Sequence, residues 1–448
     1  MINVFEKNLI SLAKCLSSPL YAVGGVVRNY LIDGSVADDI DLCAGVREEE
    51  LLPLLEKFNF TILGEYKRTG TILFSGQRKY EFTCFRKEKY NDGGEHTPYH
   101  TEFTLDINED AKRRDFKCNA VYYDIANQKF VDVLGGIEDI KNKVLDTVIQ
   151  PDKVFCNDGL RLMRLARFCG ELNFTPTIEV LESAKKYARN ITAISSERIQ
   201  VELKKILESD KKYAFSDRHG HYTGMKVLDQ TGVLDCIIPE LTAGRGMAQR
   251  ADFHKYDVLE HSLKSVKYAH RSVRLAALLH DVGKPYCFIK TGKYHYHEEE
   301  GRWIAERVLK RLKFDKKTIE EIKYLIFNHM IDLDCKMSES KLRYFIAKQG
   351  AELKKLIYIK QADFRASLDD NQPSPTLLKW KKLIKKMQLE GAPRSIKELK
   401  INAKSLIALG YAGKQIGDKL EELFKLAVLD GKNNSREKLL KKAKIKQK

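Results

Sequence analysis

The stretch that most constrains how this chain can fold lies near its start, Tyr21–Leu42, YAVGGVVRNYLIDGSVADDIDL. A short apolar strand, Tyr21-Ala22-Val23, runs into Gly24-Gly25. A helix follows, with Arg28 in its first turn, and then Asp39-Ile40-Asp41-Leu42. Side chains alternate faces along a strand, so Asp39 and Asp41 point one way while Ile40 and Leu42 point into a core. Two neighbouring carboxylates repel, and a divalent cation removes that cost. A glycine turn that opens a helix offers backbone N–H groups to a phosphate, and Arg28 adds a guanidinium fork. Singly, a Gly-Gly pair is a turn and an Asp-x-Asp a solvated strand edge. In this order and this close together, they describe a place to hold a metal–nucleoside triphosphate.

The chain has 448 residues, enough for about three domains on length alone. Apolar residues make up 43% and charged residues 31%, which fits a soluble, helix-rich globular protein. No apolar run is long enough to span a bilayer. MINVFEKNLISLAKCL reads as an amphipathic helix without the apolar centre of a signal peptide. Nine scattered cysteines without a C-x-x-C pair suit a reduced, cytoplasmic protein and argue against a disulfide framework or a zinc ribbon. Lys and Arg exceed Asp and Glu by 79 − 62 = 17. That excess favours a polyanionic partner, nucleic acid ahead of a membrane surface; a merely basic protein is the other reading.

Strand and helix patterns alternate up to about residue 145. Strands are expected at Thr71–Phe74, Lys79–Phe85, Ala120–Asp124 and Phe130–Val133, with a helix in REEELLPLLEKF after Gly45. From about Asp152 helical periodicity dominates, in DGLRLMRLARF, TIEVLESAKKYARN and SSERIQVELKKILES, the last with a plausible capped start at Ser195-Ser196. Residues 206–250 read as more helix, His254 to about Leu368 as a histidine-bearing helical domain, and Asp369–Pro375 as a linker.

Two further clusters stand out. In Arg113-Arg114-Asp115-Phe116-Lys117-Cys118-Asn119-Ala120, guanidiniums suit phosphate while Asp115 and Asn119 suit hydroxyls, though the cluster also reads as surface charge. Asp158, Arg161, Arg164 and Arg167 recur every three residues as one helical stripe, either a solvated face or a set of acceptors and donors for a base edge.

Taken together, these residues resemble the class II tRNA nucleotidyltransferase and poly(A) polymerase family of the polymerase-β-like superfamily. Gly24, Gly25, Val27, Arg28, Asp39 and Asp41 match its first motif, and Arg113–Ala120 its second. Asp158 and Arg161 match its base-reading motif; Glu197, Arg198, Glu202 and Leu203 match a later helical element. The resemblance implies that Asp39 and Asp41 hold two Mg²⁺ ions. It implies that Gly24, Gly25, Arg28, Arg114, Asp115 and Asn119 bind the nucleotide. Asp158 and Arg161 would select C or A without a template, backed by Arg164 and Arg167. Glu81, on the strand Tyr80–Thr83, is a candidate third carboxylate or else a surface acid. Two positions depart from the pattern: Asn29 replaces an Asp, and Asn157 replaces a Glu expected to orient Arg161.

Later in the chain, His261, the His280-Asp281 pair in LAALLHDVGKP, and Asp363 resemble the ligand set of an HD domain. His297 and His329 fall where a second metal would take ligands; His254 and His295 read as ordinary histidines. Imidazole with carboxylate suits a divalent transition metal, of identity left open, and phosphoester hydrolysis. From Lys432 to Lys448 eight Lys/Arg face one Glu, which suits an RNA backbone or a solubilising end.

The expectation is an α+β chain. A small mixed-sheet nucleotidyltransferase head (1–147) precedes an all-α neck (148–208), body (209–252), HD domain (253–370) and basic tail (371–448). The resemblance implies a cytoplasmic enzyme that adds CCA to tRNA from CTP and ATP, with no membrane partner. Rivals are a poly(A) polymerase, an enzyme adding only CC or only A, and an RNA-binding protein or HD phosphohydrolase with a decayed head. LGEYKRTGTILF lacks the arginine-rich strand of poly(A) polymerases, and Tyr90–Thr104 keeps a loop that CC-adding relatives lack, though without its usual arginine.

Overall fold

The computed structural model describes residues 2, 5–36, 39–249 and 255–444; His254 and the last four residues of the basic run lie outside them. Two compact units emerge, residues 1–242 with 311–313, and residues 243–310 with 314–448.

The first unit is built on a mixed sheet. Its strands are β1 (Tyr21–Val23), β2 (Asp39–Ala44), β3 (Thr61–Tyr66), β4 (Thr71–Ser75) and β5 (Lys79–Cys84), with β8 (Val121–Asp124) and β9 (Lys129–Asp132). A separate hairpin pairs β6 (Arg86–Lys89) with β7 (His100–Phe103). The seven-stranded order is β3-β4-β5-β2-β1-β8-β9. β2 runs antiparallel to β1, placing Val23 opposite Asp41, and parallel to β5, placing Asp41 opposite Glu81. Period two does what the sequence promised: Ile40 and Leu42 are buried while Asp39 and Asp41 face outward. Burying a side chain of that size contributes about 1.5–3 kcal/mol, so a one-residue slip of β2 is strongly disfavoured. Val23, Cys43, Phe85, Ala111, Ala120 and Tyr122 pack as one core beneath the strand ends.

The expected strands are all present, within a residue or two at their ends. β3 and the β6–β7 hairpin are additional to the expected strands. Arg-Lys-Glu-Lys in β6 has no apolar alternation, and β7 falls inside what reads as a loop. Helix α1 (Lys7–Ala13) buries Leu9, Leu12 and Ala13; α2 (Gly25–Asp33) follows the glycine pair, and α3 (Glu48–Lys57) carries three glutamates in its first turn. After α4 (Ile107–Lys112) and α5 (Gly136–Asn142), the chain becomes helical through α6 (Pro151–Asn157), α7 (Leu160–Leu172), α8 (Ile178–Lys186), α9 (Ser196–Leu207) and α10 (Gly220–Gln230).

One expectation needs correcting. Asp158 does not lie on the helical stripe of the three arginines. It is extended (φ −149, ψ 104) between α6 and α7, and its Oδ1 accepts from Leu160 N at 2.9 Å, so it precedes α7 and holds its first N–H instead of belonging to it.

Among its described residues the second unit's regular elements are all helices, including Val258–Tyr268, Arg274–Leu279, Lys284–Thr291, Lys316–Asn328 and Glu352–Leu368. Asp369, after the last of these, accepts from the hydroxyls of Tyr256 and Tyr268 and from Lys264 Nζ, so the expected linker begins as an anchored turn. Pro375–Leu389, Lys414–Leu429 and Arg436–Lys444 complete the unit. No helix among the described residues is long and apolar enough to cross a membrane.

Candidate active site and metal centre

The register of β2 against β5 sets Asp39, Asp41 and Glu81 on one face. Asp41 lies on the outer face of its strand, yet the surrounding protein removes enough water to push its carboxyl up to about 6, helped by the like charges of Glu81 and Asp39 and opposed by Arg114. A carboxylate cluster under such repulsion is chemically suited to a divalent cation. Gly24 closes this corner. Its φ is +75°, and a Cβ there would lie 3.0 Å from Asp41 Oδ2, so backbone conformation and space both demand glycine.

Beside the carboxylates is a buried polar network. Arg28 is 3% exposed and donates to Asn29 Oδ1, Asn119 Oδ1 and the Tyr213 hydroxyl. Asn119 Nδ2 donates in turn to Asp115 Oδ1 at 3.0 Å, and Asp115 Oδ2 accepts from Arg164 Nε at 2.7 Å. Burial alone would raise Asp115; Arg164 outweighs it and holds the carboxyl well below the carboxylate range. Arg114 lies against Asp110 and Tyr122. Sequence reasoning missed Asp110, a fully buried acid that also accepts from Arg113 Nε at 2.7 Å. Burial pushes it up, but Arg113 and Arg114 prevail and keep it at about 2. Its only signal was its spacing, three and four residues before the arginine pair.

Asp158 and Arg161 are adjacent and both 5% exposed, with Arg161 Nε 3.7 Å from Asp158 Oδ2. Arg161 donates to the carbonyls of Arg113 at 2.6 Å and Val154 at 3.5 Å, so backbone oxygens orient it where Asn157 offers no carboxylate. Asn157 and Arg161 line a cavity of about 480 Å³ with Tyr90, Lys87, Lys112 and Lys153. Arg167 points away from this group into ion pairs with Glu202 at 2.8 Å and Glu171 at 3.5 Å.

In the second unit six side chains converge. His261 Nε2 lies 3.3 Å from His280 Nε2 and 3.0 Å from Asp363 Oδ1; His280 Nε2 lies 3.3 Å from Asp281 Oδ2. His297 Nε2 is 3.2 Å from Asp281 Oδ1 and 3.3 Å from His329 Nε2. His280, His297 and His329 each turn Nδ1 onto the carbonyl three residues back, of Ala277, Tyr294 and Ile326. That bond places the hydrogen on Nδ1 and leaves Nε2 as a lone pair, the arrangement metal-binding histidines use. Burial lowers His280, but Asp281 and Asp363 overcome it and lift the ring to about 10, so without a cation Nε2 takes up a proton, which a metal ion would replace. Two groups here meet the geometry of a cation site, His261–His280–Asp363 and His280–Asp281–His329. Lys284, 7% exposed, reaches Asp281 Oδ2 at 2.7 Å and donates to Gln249 Oε1; nothing in its sequence position flagged it beyond the HDVGKP run itself. His295 is exposed and outside the cluster.

A mixed sheet with paired carboxylates, a glycine corner and a buried arginine network is thus followed along the chain by a helical His/Asp centre. Residues 20–146 match the poly A polymerase head domain, 173–244 the probable RNA and SrmB-binding site of polymerase A, and 258–364 the HD domain. By its head the chain is similar to the poly A polymerase head family.

An A-adding tRNA nucleotidyltransferase from Deinococcus radiodurans is 30% identical over 278 residues, 58% of this chain and 61% of that one. A CCA-adding enzyme from Lactobacillus helveticus is 38% identical over 187 residues, 42% of this chain and 45% of that one. The chain therefore spans between about half and three fifths of these relatives' lengths in the matched regions. The structure of the Bacillus stearothermophilus CCA-adding enzyme with CTP shares the fold: TM-score 0.65, 20% identity, covering 98% of this chain and 97% of that one.

Proposed function

We propose that this chain adds C, C and A to the 3′ ends of tRNA from CTP and ATP without a template, in the cytoplasm. One juxtaposition carries the reading: Asp39, Asp41 and Glu81 share a face beside the Gly24 corner, in a unit that also buries an Asp158–Arg161 acceptor–donor pair. Asp39 and Asp41 would hold Mg²⁺, with Glu81 beside them; bound there, Mg²⁺ makes the tRNA 3′ hydroxyl more acidic and neutralises the triphosphate and leaving pyrophosphate. The Gly24-Gly25 turn offers backbone donors to the triphosphate. Arg28 and Asn119 hold that turn against the 113–120 segment, and Arg114 and Arg164 supply positive charge at its side. Asp158 accepts from the exocyclic amine of C or A while Arg161 donates to the adjacent ring nitrogen. Arg167 serves this site by fixing α7 to α9 through Glu202.

The HD centre would hold a divalent transition metal on His261, His280, Asp281 and Asp363, with His297 and His329 beside it for a second, and would hydrolyse phosphoesters at RNA ends. The basic C-terminal helices fit an RNA backbone.

The test supplies purified protein with tRNA lacking its 3′ CCA and CTP, ATP or both. Complete CCA with both nucleotides is expected. Long A tracts from ATP alone would establish a poly(A) polymerase, and a single A on a tRNA ending in CC, with no C addition, an A-adding enzyme like the Deinococcus relative.

A further inference from the structure

The segment Tyr90–Tyr99, which joins β6 to β7, is fastened onto the α6–α7 junction. Tyr90 places its ring 5.8 Å from the Arg161 guanidinium carbon and donates its hydroxyl to Glu88 at 2.6 Å. Asp92 accepts from Cys156 Sγ at 3.5 Å. Gly94 O accepts from Gly159 N at 2.8 Å. His96 Nδ1 then meets Asp158 Oδ2 at 3.0 Å. The fastening is shaped for glycine on both sides. A Cβ on Gly94 (φ +83°) would lie 2.5 Å from the Asn190 side chain, and one on Gly159 would lie 2.3 Å from the Asn190 carbonyl.

We propose that His96 is a specificity-determining residue, which fixes the acceptor edge of Asp158. A carboxylate only accepts, so the His96 hydrogen sits on Nδ1 and points at Oδ2. Oδ1 is already bound to Leu160 N. With both oxygens engaged the carboxylate cannot rotate, and Oδ2, 3.7 Å from Arg161 Nε, retains a second lone pair. Cytosine and adenine carry an amine next to an unprotonated ring nitrogen. Uracil and guanine carry a carbonyl next to an N–H. A fixed acceptor beside a fixed donor accepts the first pair and rejects the second, because rejection rests on buried groups left unpaired. A carboxylate free to turn loses that contrast.

This inference rests on the base-reading assignment of Asp158 and Arg161. The experiment measures kcat/KM for CTP, UTP, ATP and GTP on truncated tRNA with the full-length protein and its His96→Ala, His96→Asn and Asp158→Ala variants. His96→Ala should lower the CTP/UTP and ATP/GTP preference about tenfold, the equivalent of about 1.4 kcal/mol. His96→Asn, whose amide can donate from nearly the same place, should recover most of it. An unchanged preference in His96→Ala, equal KM changes for all four nucleotides, or no rescue by Asn would overturn the proposal. If Asp158→Ala itself keeps wild-type preference, the base-reading assignment fails instead. Should His96→Ala not fold, His96→Asn against His96→Leu makes the same comparison, and equal preference in those two would overturn it.

Discussion

Arg28 shows how a departure from a family pattern is absorbed at the level of one residue. Among the described residues its acceptors are the neutral oxygens of Asn29, Asn119 and Tyr213, and it also lies over the Phe168 ring at 5.2 Å. Asn29 keeps the acceptor that an aspartate would offer and forgoes its charge. A neutral buried hydrogen bond contributes about 0.5–1.5 kcal/mol and a charge-assisted one about 1.5–3. Asn29→Asp should therefore raise the stability of the first unit by about 1 kcal/mol, and Asn29→Leu lower it by about 1–3 kcal/mol, both read by thermal unfolding. At the carboxylates, Asp41→Ala should reduce nucleotide addition about a thousandfold or more, since several kcal/mol of transition-state stabilisation depend on it. Addition at the wild-type rate would refute the metal assignment. Gly24→Ala should impair addition as well, through both the positive φ and the encroachment on Asp41.

At the scale of elements, legibility followed the range of the interaction. β1, β2 and β5 could be read because alternation over a few residues sets which face each side chain takes. The β6–β7 hairpin could not, because its exposed strands carry no apolar period. Asp158 was misplaced on a helix because three-residue spacing continues across a cap. Several partners are hidden by distance along the chain: Tyr213 for Arg28, Asp115 for Arg164, Glu202 for Arg167, and above all His96 for Asp158.

Helix α5 supplies a pH test at this scale. Asp139 has a buried Oδ2 without a hydrogen-bond partner, and burial pushes its carboxyl from the usual 3.8 to about 6, with Lys117 opposing and Asp146 and Asp132 assisting. The folded state thus binds a proton that the unfolded chain gives up. This contribution to stability is full below 3.8 and is lost as pH rises through about 6. Asp139→Asn should match the wild type near the lower value and be more stable at neutral pH, as followed by thermal unfolding across pH.

For the whole molecule, the carboxylates of the sheet and the His/Asp cluster belong to different compact units, and this separates their responses to metal. A divalent transition metal at about a hundred times its dissociation constant adds about 2.7 kcal/mol to the unit that binds it. For a unit of this size that is about 5–10 °C in Tm. Calorimetry of the full-length protein with Mn²⁺ or Zn²⁺ should show such a shift. His280→Ala should abolish it and Asp41→Ala should preserve it; a shift surviving His280→Ala would place the metal elsewhere.

The seating of Gly94 and Gly159 on Asn190 has a bearing on chain length. Surface loops ordinarily absorb an inserted residue at little cost. Between Tyr90 and His96, however, the count of residues is a measured span from one anchored ring to one carboxylate. Adding or deleting a single residue there should leave the sheet and helices intact while moving the imidazole off its mark. Drift in loop length, harmless on most surfaces, would register here as wrong nucleotides at the added end.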